Sequence, residues 1–441
     1  QVLAHAMGVP TGRLAAKTPA EVALYLQKVK LQENTQIGIS AAYTIDNKLW
    51  QKRILHFAGG DDSDENKDFR GYLQGYADFA TSSMMGAQRI LFSKTSGNVI
   101  EQLDVDSVRD LIKEGVAIMT FFGHGSGNNF DISVDNPSDW GNEGLGRFPM
   151  VIANSCFSGN IHRPSASPSI SEEYVLTPNE GSIGFMATPD LSFESQLNDY
   201  TNRFYRLLSR DNYGESVAEQ MQRVTMEMGT DERSSGVALE MTLHGDPAIH
   251  VFPHERPEIT INDPVYGPAV RFEPELITTE LDSFDVIVTL TNLGHSVTED
   301  FTISVSRFFK CSNTTADEVA YKTLNALHFQ DEVRFTFAVN SDEAVGQNCF
   351  DIEVDLPSSL INEFNDFANN QISNYQTTIS SSDIFPVYPY NYAVVPDFDV
   401  TLRSNTGLPF LDENSYKIEI DTTDLYNSAW KKDTVISQAG A

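Results

Sequence analysis

Basic residues are scarce in this 441-residue chain, where 30 Lys and Arg stand against 62 Asp and Glu for a net charge of −32. That balance leaves no cationic footprint for gripping phosphate backbones or anionic lipid, so nucleic acid is not expected as a partner. Cysteine is equally sparse. Three residues are too few for a disulfide-stapled scaffold or a thiolate metal centre. No apolar run reaches 18 residues, and the opening QVLAHAMGVPTGRLAAKTP shows no basic segment followed by a hydrophobic one. Neither a membrane span nor a signal peptide is therefore expected, and the chain reads as a mature piece of something longer. Internal repeats and low-complexity tracts are also missing.

What is present is enough apolar material, 40% of residues, to bury cores in about three domains. Residues 1–255 alternate strand and helix. TPAEVALYLQKVKLQE carries Thr18 as N-cap, Pro19 at the first helical position and Glu21 three residues after the cap, with Val22, Leu26 and Val29 as the stripe expected to face a sheet. RILHFAGG (53–60) reads as a strand, DDSDENKDF (61–69) as an acidic loop, and residues 70–84 as a helix. GVAIMTFF (115–122), FPMVIANS (148–155) and GSIGFMAT (181–188) are apolar without alternation, as in strands covered on both faces, so a mainly parallel α/β sheet is expected. Near HGDPAIHVFPHERPEI the helical periods stop. Residues 256–384 show short alternating runs, among them FDVIVTLTN, FTISVSRFF, VRFTFAV and CFDIEVDL, which predict an immunoglobulin-like antiparallel β-sandwich. A Tyr/Pro-rich joint, FPVYPYNYAVVP, opens residues 385–441, a β segment beginning a further domain.

Chemistry concentrates in FFGHGSG (121–127) and VIANSCFSGN (151–160). His124 and Cys156 each directly follow an apolar strand, and the carboxyl ends of strands in open α/β sheets are where ligands collect. A thiolate is a nucleophile, a nearby imidazole sets its ionisation or protonates a leaving amine, and Gly123, Gly125 and Gly127 free backbone N–H groups to face an oxyanion. A lone Cys and a lone His are more often a buried thiol and a satisfied loop residue. The shared strand-end context, the order and the glycine flanks favour catalysis here.

GHGS followed about thirty residues later by NSCFSG, with VPTGRLAAKTPAEVALYLQKV upstream and LHGDPAIHVF closing the domain, resembles the gingipain family of caspase-like cysteine peptidases. The sandwich and the joint PVYPYNYAVVP followed by IEIDTTDLYNS are similar to PorU-type sortases of type IX secretion systems. The resemblance implies a caspase-like domain in which His124 is the catalytic His, Cys156 the nucleophile, and the amides of Gly125 and Cys156 the oxyanion site. It further implies a secreted or cell-surface protein, associated with the outer membrane, that acts on protein or peptide substrates alongside outer-membrane secretion-system components. Arginine-specific relatives carry a Glu before the Gly-Gly pair to orient the His, whereas this chain has Ala58. Asp61 and Asp62 follow closely as substitutes, and a dyad is the alternative. In those relatives the next loop supplies the carboxylate at the base of a basic-residue pocket, where this chain places Phe69 with Asp68 adjacent.

Glu172 in SISEEYV is a further candidate to approach the site, against a capping role at a helix start. Asp62, Asp64, Asn66 and Asp68 alternate like the start of a calcium loop, but Lys67 stands where the glycine belongs and no Glu closes the loop, so an EF-hand is excluded. No cofactor is required, no metal ligand set is assigned, and irregular calcium binding stays open beside a solvated acidic loop. His162 is weighed as a cleft residue or an ordinary loop His, while His244 and His250 are expected to pack. Cys311 and Cys349 remain as a pair that an oxidising compartment would let bridge, with the pairing left open. The resulting expectation is a cysteine endopeptidase or sortase-like transpeptidase working through a Cys-His thioester. The alternative is a non-catalytic scaffold or docking component of a secretion or surface assembly.

Overall fold

The structure, a computed structural model, describes residues 8–438 apart from 38–42, 103–104, 135, 163–167, 262–266, 357–359, 365–368, 382–383, 391–392, 397–398 and 407–413. Asn391 and Tyr392 of the expected joint thus lie outside the described residues.

A six-stranded sheet organises the first part of the chain. Its strands are β1 (Arg53–Ala58), β2 (Gln88–Ser93), β3 (Ile118–Phe122), β4 (Met150–Asn154), β5 (Gly184–Ala187) and β6 (Thr242–Gly245). They run in the order β2-β1-β3-β4-β5-β6, parallel through β5, with β6 antiparallel at the edge. Every residue of β1, β3, β4 and β5 is buried, as the unbroken apolar runs require of strands covered on both faces. Of the helices α1 (Pro19–Ile37), α2 (Ile45–Lys52), α3 (Ser63–Thr81), α4 (Val105–Glu114), α5 (Ile170–Leu176) and α6 (Glu194–Arg206), α3 packs on β1 and β2 and against α6, while α5 contacts β5 and β6.

Two local expectations are corrected. Helix α1 (Pro19–Ile37) begins as predicted, with Glu21 Oε2 accepting from Thr18 N and Thr18 Oγ1 accepting from Glu21 N. Yet Val22 and Leu26 are exposed, and the buried stripe is Tyr25, Lys28, Val29, Gln32 and Gln36. Those polar groups reach backbone atoms: Lys28 Nζ donates to the carbonyls of Val175, Glu180 and Ser182, and Tyr25 Oη to that of Ile183. A helix that seats itself through hydrogen bonds leaves no apolar period to read. Residues 63–69 of the acidic stretch are likewise helix, not loop. Asp62 is the N-cap of α3, accepting from the amides of Asp64 and Glu65. On that helix Asn66 turns away from Asp64 and Asp68, which sit four apart, and donates from its side chain to the carbonyls of Ala58 and Gly59, so the alternation is not that of a loop.

The second part is a β-sandwich with its own core, including Val286, Val288, Phe335, Ile303, Val305 and Phe350. One sheet joins Ile259–Thr260, Val270–Glu273, Ser283–Asn292 and Gln330–Ala338. The other joins Ile277–Thr278, Gln371–Ser380, Gly346–Leu356, Phe301–Phe308 and Glu318–Leu324. Cys311 and Cys349 are bridged, with Cα atoms 5.1 Å apart. Two hairpins follow, Ile384–Tyr388 with Arg403–Thr406 and Asn414–Ile420 with Lys432–Gln438. The sandwich docks at the amino edge of the first sheet. Lys52, fully buried just before β1, donates to the carbonyls of Met85, His328 and Gly294. Ser296 N donates to Met84 O across the same joint.

Candidate functional site

The opposite, carboxyl edge of the sheet brings His124 and Cys156 together through register alone. Strands β3 and β4 pair in parallel with Phe122 opposite Asn154, and Gly123 N extends the ladder to Asn154 O. His124 and Cys156 are each two residues past those partners, so they occupy equivalent positions beyond adjacent strands. Among the described residues no hydrogen bond joins the two side chains, an arrangement in keeping with the loose geometry of ligand-free sites.

Gly125 allows the two turns to approach: a Cβ there would lie 2.8 Å from the Ser155 side chain. Phe157, directly after the cysteine, adopts φ 61°, a left-handed conformation that non-glycine residues rarely hold. Its amide donates to Asp190 O, which stitches the cysteine turn to residues 190–193, and Cys156 Sγ is 4.0 Å from Ser192 O. Cys156 is a free, half-buried thiol. Among the described residues no hydrogen bond is found from the amides of Gly125 and Cys156. Leu191 and Phe193, on either side of Ser192, are exposed, and the Arg233 guanidinium lies over the Phe193 ring at 4.6 Å.

The carboxylate on the imidazole is Glu65, a residue that the sequence reading missed. Its Oε2 lies 3.0 Å from His124 Nε2, while Asp61 Oδ2 is 3.8 Å away. Glu65 occupies the first turn of α3 and is steadied by the Asp61 amide, which donates to the same oxygen at 2.7 Å. The signal that could have found it is the D-x-x-E pattern from Asp62, which marks a helix start and puts the Glu in the first turn. Burial alone would lower the His124 pKa, but the hydrogen bond and charge of Glu65, then the charges of Asp61 and Asp131, outweigh it and raise the value. Burial works to raise the carboxyl of Glu65, and the Asp61 amide with His124 brings it below the ordinary carboxylate range. His124 keeps 50% of its side-chain surface exposed, so the imidazole is accessible from solvent. Holding Nε2 on Glu65 leaves Nδ1 for chemistry.

The remaining candidates have other occupations. Asp62 caps α3, and Asp68 is exposed on its first turns. Phe69 is buried against Phe122, with its ring centroid 6.2 Å from that of His124, so it supports the imidazole from below. Glu172 completes a capping box with Ser169 and pairs with Lys17 at 3.4 Å. His162 Nδ1 meets Arg13 at 3.0 Å, His244 Nε2 accepts from Ala15 N, and His250 Nδ1 bonds Gly214 O. Asp61, Glu65 and His124 offer ligand atoms within 4.8 Å of one another, the donor chemistry of a divalent cation site. The ammonium of Lys94, 3.7 Å from Asp61, already supplies positive charge there.

A sequence model of peptidase family C25 matches residues 4–252. The Arg-specific cysteine proteinase gingipain R (RgpB) superposes with a TM-score of 0.45 at 12% identity, covering 79% of this chain and 73% of that one. The complex of Porphyromonas gingivalis RgpB pro- and mature domains gives 0.45 at 11% identity, covering 85% and 78%. No curated protein matches.

Proposed function

The chain belongs to peptidase family C25, a family of cysteine peptidases, and from that premise we propose that Cys156 is its nucleophile, with His124 as acid and base. The observation that carries the reading is the parallel register of β3 and β4, which sets both residues at one edge of the sheet. Glu65 supports it further by holding Nε2 and favouring the imidazolium. In this mechanism the Cys156 thiolate attacks a peptide carbonyl and an S–C bond forms. The oxyanion is met by the amides of Gly125 and Cys156, and the C–N bond breaks as His124 Nδ1 gives a proton to the leaving amine. The thioester is then resolved. Water yields a carboxylic acid and hydrolysis; an amine yields a new amide and a sortase-like transfer. The resemblance to PorU-type sortases favours the second outcome, with secretion-system components of the outer membrane as partners.

The Cys311–Cys349 bridge supports a secreted or cell-surface setting, since disulfides persist in oxidising compartments. The scaffold alternative rested on Ala58, and the Glu65 carboxylate beside His124 weighs against it. As for substrate, Phe69 stands where a pocket carboxylate was expected. Exposed Leu191 and Phe193 suit an uncharged, apolar residue before the scissile bond, and Phe69 offers no carboxylate to pair a buried Arg or Lys. The mechanism itself needs no metal.

The deciding experiment is labelling with a thiol-reactive peptidyl probe. Wild type should label at one cysteine, Cys156→Ala should not, and His124→Ala should label at least about 100-fold more slowly. Equal labelling of wild type and His124→Ala would sink the reading. Adding an amine acceptor and weighing the products then separates transfer from hydrolysis.

A further inference from the structure

Behind the His124 turn lies a buried ion pair that the mechanism above does not use. Asp131 and Lys94 have side chains only 4% and 1% exposed and approach to 3.8 Å. Two such charges leave water only at a cost that pairing must offset, so what the pair holds together is informative. The Asp131 amide donates to His124 O at 3.0 Å. Its carboxylate Oδ2 accepts from Gly60 N at 2.8 Å. The next residue, Asp61, donates its amide to Glu65 Oε2, the atom that meets His124 Nε2. The surrounding backbone is shaped to the carboxylate: a Cβ at Gly59 would lie 2.2 Å from Asp131 Oδ1, and one at Gly123 2.5 Å. Lys94, directly after β2, closes the cluster with Asp61 at 3.7 Å. Segments leaving β1, β2 and β3 thus converge on one carboxylate.

We infer that Asp131, held by Lys94, is a positioning residue for His124, locking the imidazole-bearing turn and the Gly60–Asp61 segment in the one arrangement that delivers Glu65 to Nε2. The inference rests on His124 and Cys156 being the reacting pair. Asp131 touches neither the imidazole ring nor the place of a substrate, and it acts through the backbone of both partners and through its charge. The charged groups acting on His124 are Glu65 and Asp61 from the segment after β1 and Asp131 from its own loop; Lys94 at the end of β2 pairs with both aspartates, and Cys156 sits at the matching position past β4.

The test uses the full chain. Asp131→Asn keeps an acceptor for Gly60 N but removes the charge, and the double variant Asp131→Asn/Lys94→Met leaves neither partner as a buried lone ion. In a Cys156→Ala background, NMR titration of the His124 imidazole should move to lower pH in both variants. With Cys156 present, both should alkylate with iodoacetamide about 10-fold more slowly at neutral pH. Their kcat should fall about 10- to 100-fold with KM changed less than about threefold, and the alkaline limb of kcat/KM should shift to lower pH. An unmoved His124 titration in the double variant, at a wild-type alkylation rate, overturns the inference. Should the single variant fail to fold, the double variant carries the same readouts. Failure of the underlying reading looks different. Wild-type Cys156 would then alkylate no faster than an ordinary thiol and ignore His124→Ala, while the NMR titration would still report what Asp131 does.

Discussion

Glu65 changes what the absence of a carboxylate at Ala58 means. A side chain from the first turn of α3, seven residues further on, meets the imidazole instead. Glu65→Gln retains the shape and an acceptor oxygen but loses the charge. It should lower kcat roughly 10- to 100-fold with little change in KM, measured on a peptide substrate. The pH dependence follows from the two shifts. His124 is raised, so its share of the pair's stability is complete below the ordinary imidazole value near ~6.5 and disappears as pH climbs through the raised one. Glu65 is lowered, so its share is complete above the ordinary carboxylate value near ~4.3 and is lost as pH falls through the depressed one. The pair should therefore be most intact between those ordinary values, and NMR titration of His124 in Glu65→Gln should show a midpoint displaced to lower pH. At this scale the exposed Leu191 and Phe193 also make a claim. Among matched peptides differing only before the scissile bond, an apolar residue should be cleaved fastest, whereas a strong Arg preference abolished by Asp68→Ala would show that the α3 segment does serve as a charged pocket.

Helix α3 and the two strand-end turns are the elements that turn these residues into a site. Asp62 fixes where the helix starts, and its position decides that Glu65 lies in the first turn, next to the β1 end. Asp62→Ala should cost about 1 kcal/mol of stability by thermal or denaturant unfolding. It should also reduce kcat more than that loss explains, because Glu65 depends on the same turn. Gly125→Ala tests the opposite balance. With a Cβ 2.8 Å from Ser155, the His124 turn must move away from the Cys156 turn. At least about a 10-fold loss in kcat is expected with a melting temperature within a few degrees of wild type. The same elements explain which local signals were legible. Apolar runs marked β1, β3, β4 and β5 because strands buried on both faces leave no other pattern. The buried stripe of α1 was not legible, since Lys28, Gln32 and Gln36 are seated by hydrogen bonds that hydrophobic periodicity does not see.

The whole molecule separates chemistry from attachment. The candidate site occupies the carboxyl edge of the sheet, and the sandwich joins at the amino edge through Lys52 and the Met84–Gly86 turn. Gly86, at φ 53°, has His328 O only 2.1 Å from where a Cβ would be. Gly86→Ala should accordingly loosen the joint, with faster limited proteolysis between the two parts while probe labelling of Cys156 persists. Loss of labelling in a folded protein would show that the sandwich supports the site. The disulfide closes a 38-residue separation, and by the loop-entropy estimate removing it costs about 3–4 kcal/mol. The paired variant Cys311→Ser/Cys349→Ser should unfold at lower denaturant yet label at Cys156 as before. Without reductant, wild type should offer a single titratable thiol.

Sequence by itself determined strands β1, β3, β4 and β5 of the first sheet, four alternating strands of the sandwich, and the placement of His124 and Cys156 just beyond two apolar runs. Each is a local matter of which residues suit a pleated segment and where it stops. Only the tertiary structure decided that Glu65 rather than Asp61 or Asp62 meets the imidazole. That choice depends on the angle at which α3 leaves the β1 end and on Asp131 gripping Gly60 from a segment seventy-one residues away. The Cys311–Cys349 bridge was decided in the same way. It requires the turn after Phe301–Phe308 to fold back beside Gly346–Leu356, a pairing set by the register of two strands and not by anything near either cysteine.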